Sequence, residues 1–122
     1  MTYRNRPLLD LARGQHCTAR ILGVCNHNPE TVVSAHDNRW HGMSDKAPDF
    51  RVAWCCSACH DWIDGRSGGA SNQDRHAAWD AAHRETVACM WLQGLVQVKG
   101  YTPREKRPTR SAKVLAHPGY SR

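Results

Sequence analysis

Six cysteines and eight histidines among 122 residues are the side chains best able to do chemistry in this sequence. Cys17 and Cys25 enclose seven residues, and Cys56 and Cys59 form a C-x2-C pair thirty residues further on. A C-x2-C turn presents two thiolates from one backbone loop. A second pair completes the tetrahedron Zn2+ prefers, with every position filled as in a structural site. Cys17, Cys25, Cys56 and Cys59 are therefore the expected ligands of one structural Zn2+. Cys55 and Cys89 are expected to be buried structural thiols.

A second set of donors lies beside the first: His36, His41, His60 and Asp64. A spacing of four places His60 and Asp64 on one face of a helix. An imidazole beside a carboxylate makes a partial site for a hard divalent cation, with positions left open for water and a substrate phosphate. Mg2+ or Mn2+ is the expected catalytic ion.

Positioning these groups requires a small set of elements. Residues 7–13 predict a short helix that opens on Pro7 and stops at Gly14. Residues 31–36 and 50–55 are apolar and rich in β-branched side chains, and predict a strand pair joined by a long polar connection. Residues 57–64 predict a short helix ending at Gly65. Ser71 and Asp74 form a capping-box-like start for a long helix that runs to Gly94. Along it Trp79, His83, Val87, Met90 and Trp91 are expected to form one inward stripe. Strand, loop, strand and a ligand-bearing helix is the order of a ββα-metal nuclease motif. The expected class is α+β: a zinc-stapled ββα-metal core with a short N-terminal and a long C-terminal helix.

Such a core would need its staple. Ile, Leu, Val and Phe number 18 of 122, about 15%, below the roughly 20% under which chains tend towards disorder. Metal binding can supply the missing folding free energy, on the order of 10 kcal/mol for structural zinc.

Charge is unevenly spread. Residues 1–98 carry ten Lys+Arg against ten Asp+Glu, so the formal net charge of +6 resides in residues 99–122. That segment also holds three prolines and is expected to be a disordered basic arm following a domain at residues 1–98. Basic groups on a mobile chain can follow a polyanionic backbone by displacing its counterions. Arg39, Lys46 and Arg66 of the domain, with Arg104, Lys106, Arg107 and Arg110 of the arm, are the candidate DNA contacts. No secretory signal is expected at residues 1–15, and no window approaches about 18 apolar residues, so no membrane partner and a cytoplasmic location with reduced thiols are expected. The C-x2-C pair lacks the βαβ setting of a thiol redox fold.

The stretches CTARILGVCNHNPETVVSAH, WHG, KAPDFRVAWCCSACHDWIDG and WDAAHRETV resemble the small phage and prophage nucleases of the HNH superfamily, the YbcO-like proteins. The resemblance covers roughly residues 8–98. It implies an HNH endonuclease that hydrolyses DNA phosphodiester bonds in phage recombination or DNA processing, with His36 as general base and His60 as metal ligand and catalytic residue. Two positions depart from the HNH pattern. Ala35 stands where many members have a metal ligand, leaving Asp64, His41 and His83 as candidates for the second ligand, and Asp49 stands where the middle Asn is expected. The alternative reading is a non-catalytic, zinc-stabilised nucleic-acid-binding protein. A homodimer and contacts with phage or host recombination proteins are candidate assemblies.

Overall fold

The computed structural model describes residues 3–39 and 47–101. His41, Lys46, Arg104, Lys106, Arg107 and Arg110 lie outside the described residues, as does almost all of the basic arm.

Helix α1 (Arg6–Asp10) is capped by Asn5, whose side chain accepts from the Leu8 amide at 3.1 Å. Pro7 occupies its first turn, where a missing N–H costs nothing. The helix is shorter than the sequence predicts. The Gly14 amide donates to Pro29 O at 3.2 Å, so the chain leaves the helix to bond a distant turn. That 3-10 turn, Pro29–Thr31, is capped by Asn28 and delays the first strand.

Strands β1 (Val33–His36) and β2 (Val52–Cys55) pair antiparallel, with Val33 opposite Cys55 and His36 opposite Val52. Both are two residues shorter than expected, because the 3-10 turn takes up Thr31 and Phe50 lies half exposed in a turn before β2. Every residue of β2 is buried. Two strands alone make a marginal sheet. Helix α3 (Asn72–Leu92) lies against the open edge of β2 and answers its backbone groups.

Thr86 and His83 of α3 and the Thr18 loop bond β2, and Trp79 of α3 reaches across to β1. Thr86 Oγ1 accepts from the Trp54 amide at 2.9 Å and donates to Ala82 O at 2.8 Å. Thr18 donates to Trp54 O through both its amide and its hydroxyl, at 2.7 and 2.8 Å. His83 Nδ1 donates to Val52 O at 2.7 Å, and Trp79 Nε1 to Ala35 O at 2.9 Å. A buried strand edge left unpaired would cost about 1–3 kcal/mol per orphaned group. The helix thus stands in for a third strand. Its inward face is correspondingly Trp79, Ala82, Thr86 and Met90, whereas Val87 and Trp91, expected in the stripe, are 44% and 39% exposed.

Helix α2 (Ser57–Ile63) follows β2 and packs on α3. Both α2 and α3 end in the same reversal. The amides of Gly65 and Arg66 bond to Trp62 O and Asp61 O, and those of Gly94 and Leu95 bond to Trp91 O and Met90 O. This double bond pattern needs a left-handed residue, supplied by Gly65 at φ 81° and Gly94 at φ 72°. The core between the sheet and α3 centres on Trp54, Val32, Val52, Ala35 and Trp79. Among the described residues no helix is long and apolar enough to cross a membrane.

Candidate functional site

Two short loops and the β2–α2 junction bring Cys17, Cys25, Cys56 and Cys59 together, with all four sulfurs within 4.8 Å of one another. Zn–S bonds of about 2.3 Å in a tetrahedron require sulfurs about 3.8 Å apart; Cys25 and Cys56 Sγ stand at 3.9 Å. Each sulfur also accepts one backbone amide. Arg20 N reaches Cys17, Ile21 N reaches Cys59 and His27 N reaches Cys25, all at 3.4 Å, and Cys59 N reaches Cys56 at 3.3 Å. Amides directed at sulfur stabilise the thiolate that a metal requires.

Two of those donors sit in strained backbone. Among the described residues Arg20 and His27 are the non-glycine residues with positive φ, at 42° and 55°. Such conformations persist only where the surroundings enforce them. Both residues follow the cysteine whose sulfur they serve. Cys17 lies well below the usual thiol range, first because the Cys59 thiol donates to it, while the same bond and burial push Cys59 up. Cys56 doubles as the N-cap of α2, so ligand and helix start are one residue. The donor set and its spacing fit a Zn2+ held by four cysteines.

The neighbouring Cys55 is completely buried in β2, and burial pushes its thiol up, as suits a structural residue. Cys89 is only half buried and groups with His16 and Glu85. These three donors look like a further metal set. The Glu85 carboxylate is already occupied, however: Arg20 holds both oxygens at 2.7 and 2.6 Å, and His16 Nε2 lies 2.8 Å from one of them. The cluster works as a clamp that fastens the Cys17 loop to α3.

At the end of β1, His36 Nε2 lies 2.9 Å from Asp49 Oδ1. Asp49 is buried, and it also accepts from Arg4 Nη1 at 3.0 Å and from the Asn5 amide at 2.6 Å. Burial pushes this carboxyl up, but Asn5, His36 and Arg4 together outweigh burial and hold it below the ordinary range. An ionised carboxylate only accepts. In the neutral imidazole Nε2 then carries the proton, and Nδ1 of His36 is the proton acceptor.

On α2, His60 Nε2 and Asp64 Oδ2 are 3.1 Å apart, one turn from each other. Asn38 donates to Asp64 Oδ1 at 3.1 Å and Arg66 to Oδ2 at 2.9 Å. Burial raises Asp64, and His60, Arg66 and Asn38 more than reverse it. Adjacent ligands at about 2.1 Å in an octahedron are about 3.0 Å apart, so this pair has the spacing of one edge of a Mg2+ or Mn2+ shell, and an ion there would displace Arg66 from Oδ2. Among the described residues no third His, Cys, Asp or Glu joins it within 4.8 Å. The segment after β1 links the two pairs, since His36 reaches Asp49 and Asn38 reaches Asp64.

The other candidates are placed as follows. Ala35 is fully buried. His83 stacks on Trp79 at 4.8 Å and spends Nδ1 on Val52 O. Arg39 bonds Asp37 and Asp80, and Arg66 pairs with Asp61 and Asp64, so both guanidiniums already hold carboxylates. Arg4, Asn5 and Asn38 escape the sequence reading. The first two meet Asp49 from 45 and 44 residues away, a separation no motif records.

A family model described as "Putative nuclease YbcO" matches residues 7–94, most of the chain. The chain belongs to this family. Two relatives share its name: "Putative nuclease YbcO" of Escherichia coli (strain K12) and "Putative nuclease ybcO" of Enterobacteria phage 82. Each is 52% identical over 58 residues, or 46% of this chain and 60% of the relative. The match thus spans about three fifths of the length of these curated relatives. A solved structure titled "Structure of a putative bacteriophage protein from Escherichia coli str. K-12 substr. MG1655" is 35% identical with a TM-score of 0.60, over 70% of this chain and 98% of that one. The YbcO family match contains the four cysteines, His36, Asp49, His60 and Asp64. Its name supports a nuclease role in general.

Proposed function

We propose that this YbcO-family protein is an HNH-type endonuclease that hydrolyses DNA phosphodiester bonds. The observation that carries the reading is the His36–Asp49 bond at 2.9 Å, a buried carboxylate orienting a strand-end imidazole that remains 27% exposed. His36 takes the proton of the attacking water at Nδ1, while Asp49 keeps Nε2–H in place. General-base help of this kind contributes roughly 10²- to 10⁴-fold. His60 and Asp64 would hold a Mg2+ or Mn2+, and Asn38 turns the Asp64 carboxylate towards it. When bound, such an ion stabilises charge on the phosphate and the leaving oxygen. Cys17, Cys25, Cys56 and Cys59 would hold a Zn2+ that ties the β2–α2 junction to the Cys17–Cys25 loop and supplies folding energy, not chemistry. The basic arm adds salt-dependent affinity for DNA. The phage relative fits work in phage DNA processing.

One observation favours a second reading, a non-catalytic zinc module that binds nucleic acid: Ala35 is buried and offers no ligand, so among the described residues two protein donors stand alone. Mg2+ commonly keeps several waters and binds through one or two carboxylates plus substrate phosphates, which is why the catalytic reading leads. Plasmid cleavage with Mg2+ or Mn2+ decides between them. Nicking that stops when the ion is chelated is expected, and DNA binding without cleavage under any divalent ion would leave the zinc module.

A further inference from the structure

His36 has a second face. Beside β1 it lines a cleft of about 300 Å³ whose opposite wall is α1 and the turn after it, with Arg6, Asp10, Arg13 and Ser34 around the rim. Ser34 Oγ donates to Leu9 O at 2.8 Å and sews the two walls together. Asp49 sets their register. Its Oδ1 takes His36 and Arg4, and its Oδ2 takes the amide of Asn5, the N-cap of α1. A single buried carboxylate therefore fixes both the imidazole and the start of the helix that carries Arg6 and leads into the turn of Arg13.

The charges differ in availability. Among the described residues Arg4, Arg20, Arg39, Arg51 and Arg66 are held by carboxylates at 3.3 Å or closer, whereas Arg6 meets Asp10 only at 3.5 Å across an exposed i,i+4 pair. Arg13 is exposed and has no carboxylate within 4.0 Å among the described residues. Arg75, Arg84 and Lys99 also lack one, but do not line this cleft. A guanidinium free of acid partners and presented from a fixed turn is suited to a phosphate oxygen, which it can grip with two parallel N–H bonds.

We infer that the α1–β1 cleft is a contact for the DNA sugar-phosphate backbone, in which Arg13, assisted by Arg6, grips a phosphate and so lays the strand across His36. This rests on the reading of His36 as the base. Arg13 and Arg6 act by positioning and exchange no proton with substrate.

The test is duplex DNA binding by fluorescence anisotropy over a salt series without added divalent ion, for the zinc-loaded full chain and for Arg13→Gln, Arg6→Gln/Arg13→Gln and the control Arg84→Gln. Cleavage of the same duplex with Mn2+ is run alongside. Loss of one phosphate contact should reduce the slope of log affinity against log salt by about 1. Arg13→Gln should bind several-fold more weakly with that smaller slope, the double variant more weakly again, and Arg84→Gln like wild type. Unchanged affinity and slope in both α1 variants would overturn the inference, as would an equal loss in Arg84→Gln, which would reduce the effect to general charge. Wild type that cuts while Arg13→Gln behaves normally sinks the contact and spares the nuclease. Wild type that binds but never cuts, with Arg13→Gln weakened, keeps the contact and sinks the nuclease. Wild type that binds no DNA at any salt overturns both.

Discussion

The cysteine cluster and the histidine–carboxylate pairs flank the same β1–β2–α2 scaffold, yet they are built in opposite ways. Each of the four sulfurs is served by an amide from its own or the adjoining loop, three of the four side chains are buried, and no position is left for another ligand. His36, His60 and Asp64 instead remain 27%, 26% and 22% exposed, and are oriented by Asp49 and Asn38 from other parts of the chain. A closed tetrahedron suits a structural ion, and an open, half-exposed pair suits exchange with water and substrate. On the proposed reading, stability and reactivity fall to separate donor sets that adjoin in sequence at Cys59 and His60.

Removing the closed site should have the largest effect. Purified protein is expected to carry about one zinc per chain, and Cys56→Ala, which removes a ligand and the α2 cap together, should unfold the domain at ordinary temperature. Elemental analysis with a thermal melt checks this; metal-free protein that melts cooperatively would erase the contrast between the sites.

The open site should respond without unfolding. Asp64→Asn is expected to weaken Mn2+ binding by at least tenfold, and Asn38→Ala, which removes only the orienting amide, by less, both with melting temperature close to wild type. Titration of Mn2+ by electron paramagnetic resonance measures it, and a melting shift as large as that of a cysteine variant would make Asp64 a structural residue.

A third, smaller effect concerns pH. Asp37, beside His36, is buried and accepts from Arg39 and Arg51. Burial pushes it up, but the two arginines prevail and hold it down at about 2 instead of the usual 3.8. Because its folded value is depressed, Asp37 contributes stability fully above pH 3.8 and loses it as pH falls towards 2, on the order of 2 kcal/mol in all. Because acid also strips zinc from thiolates, the contribution is read at neutral pH: Asp37→Asn should lower the stability of the zinc-loaded protein there by about that amount in chemical denaturation, and an unchanged midpoint would show that the arginines hold nothing. Glu85→Gln, which loosens the clamp on the Cys17 loop, should cost least, about 1 kcal/mol, since the carboxylate is one-third exposed. Chemical denaturation reads that difference.

The sequence revealed these two sites unequally, for a physical reason. Thiolates of a structural zinc come in local pairs, so C-x2-C and its distant partner could be read directly, and the i,i+4 spacing disclosed His60 and Asp64. The orienting groups lie at long range. Asp49 looked like a departure from the HNH pattern, and only the folded chain shows it beside His36 with Arg4 and Asn5. In α3, Thr86 and His83 look like polar interruptions of an apolar stripe, whereas they complete the backbone bonding of β2, a role periodicity does not encode. Element types and order were legible. Their ends were set by tertiary bonds such as Gly14 to Pro29.

The most direct test of the division of labour is His36→Ala, with zinc content, melting temperature and Mn2+-dependent plasmid cleavage measured on one preparation beside wild type. The account predicts one zinc per chain and a near-native melt in both proteins, with cleavage in the variant lower by at least 10². A variant that cuts at the wild-type rate, or one that loses its zinc, would contradict it.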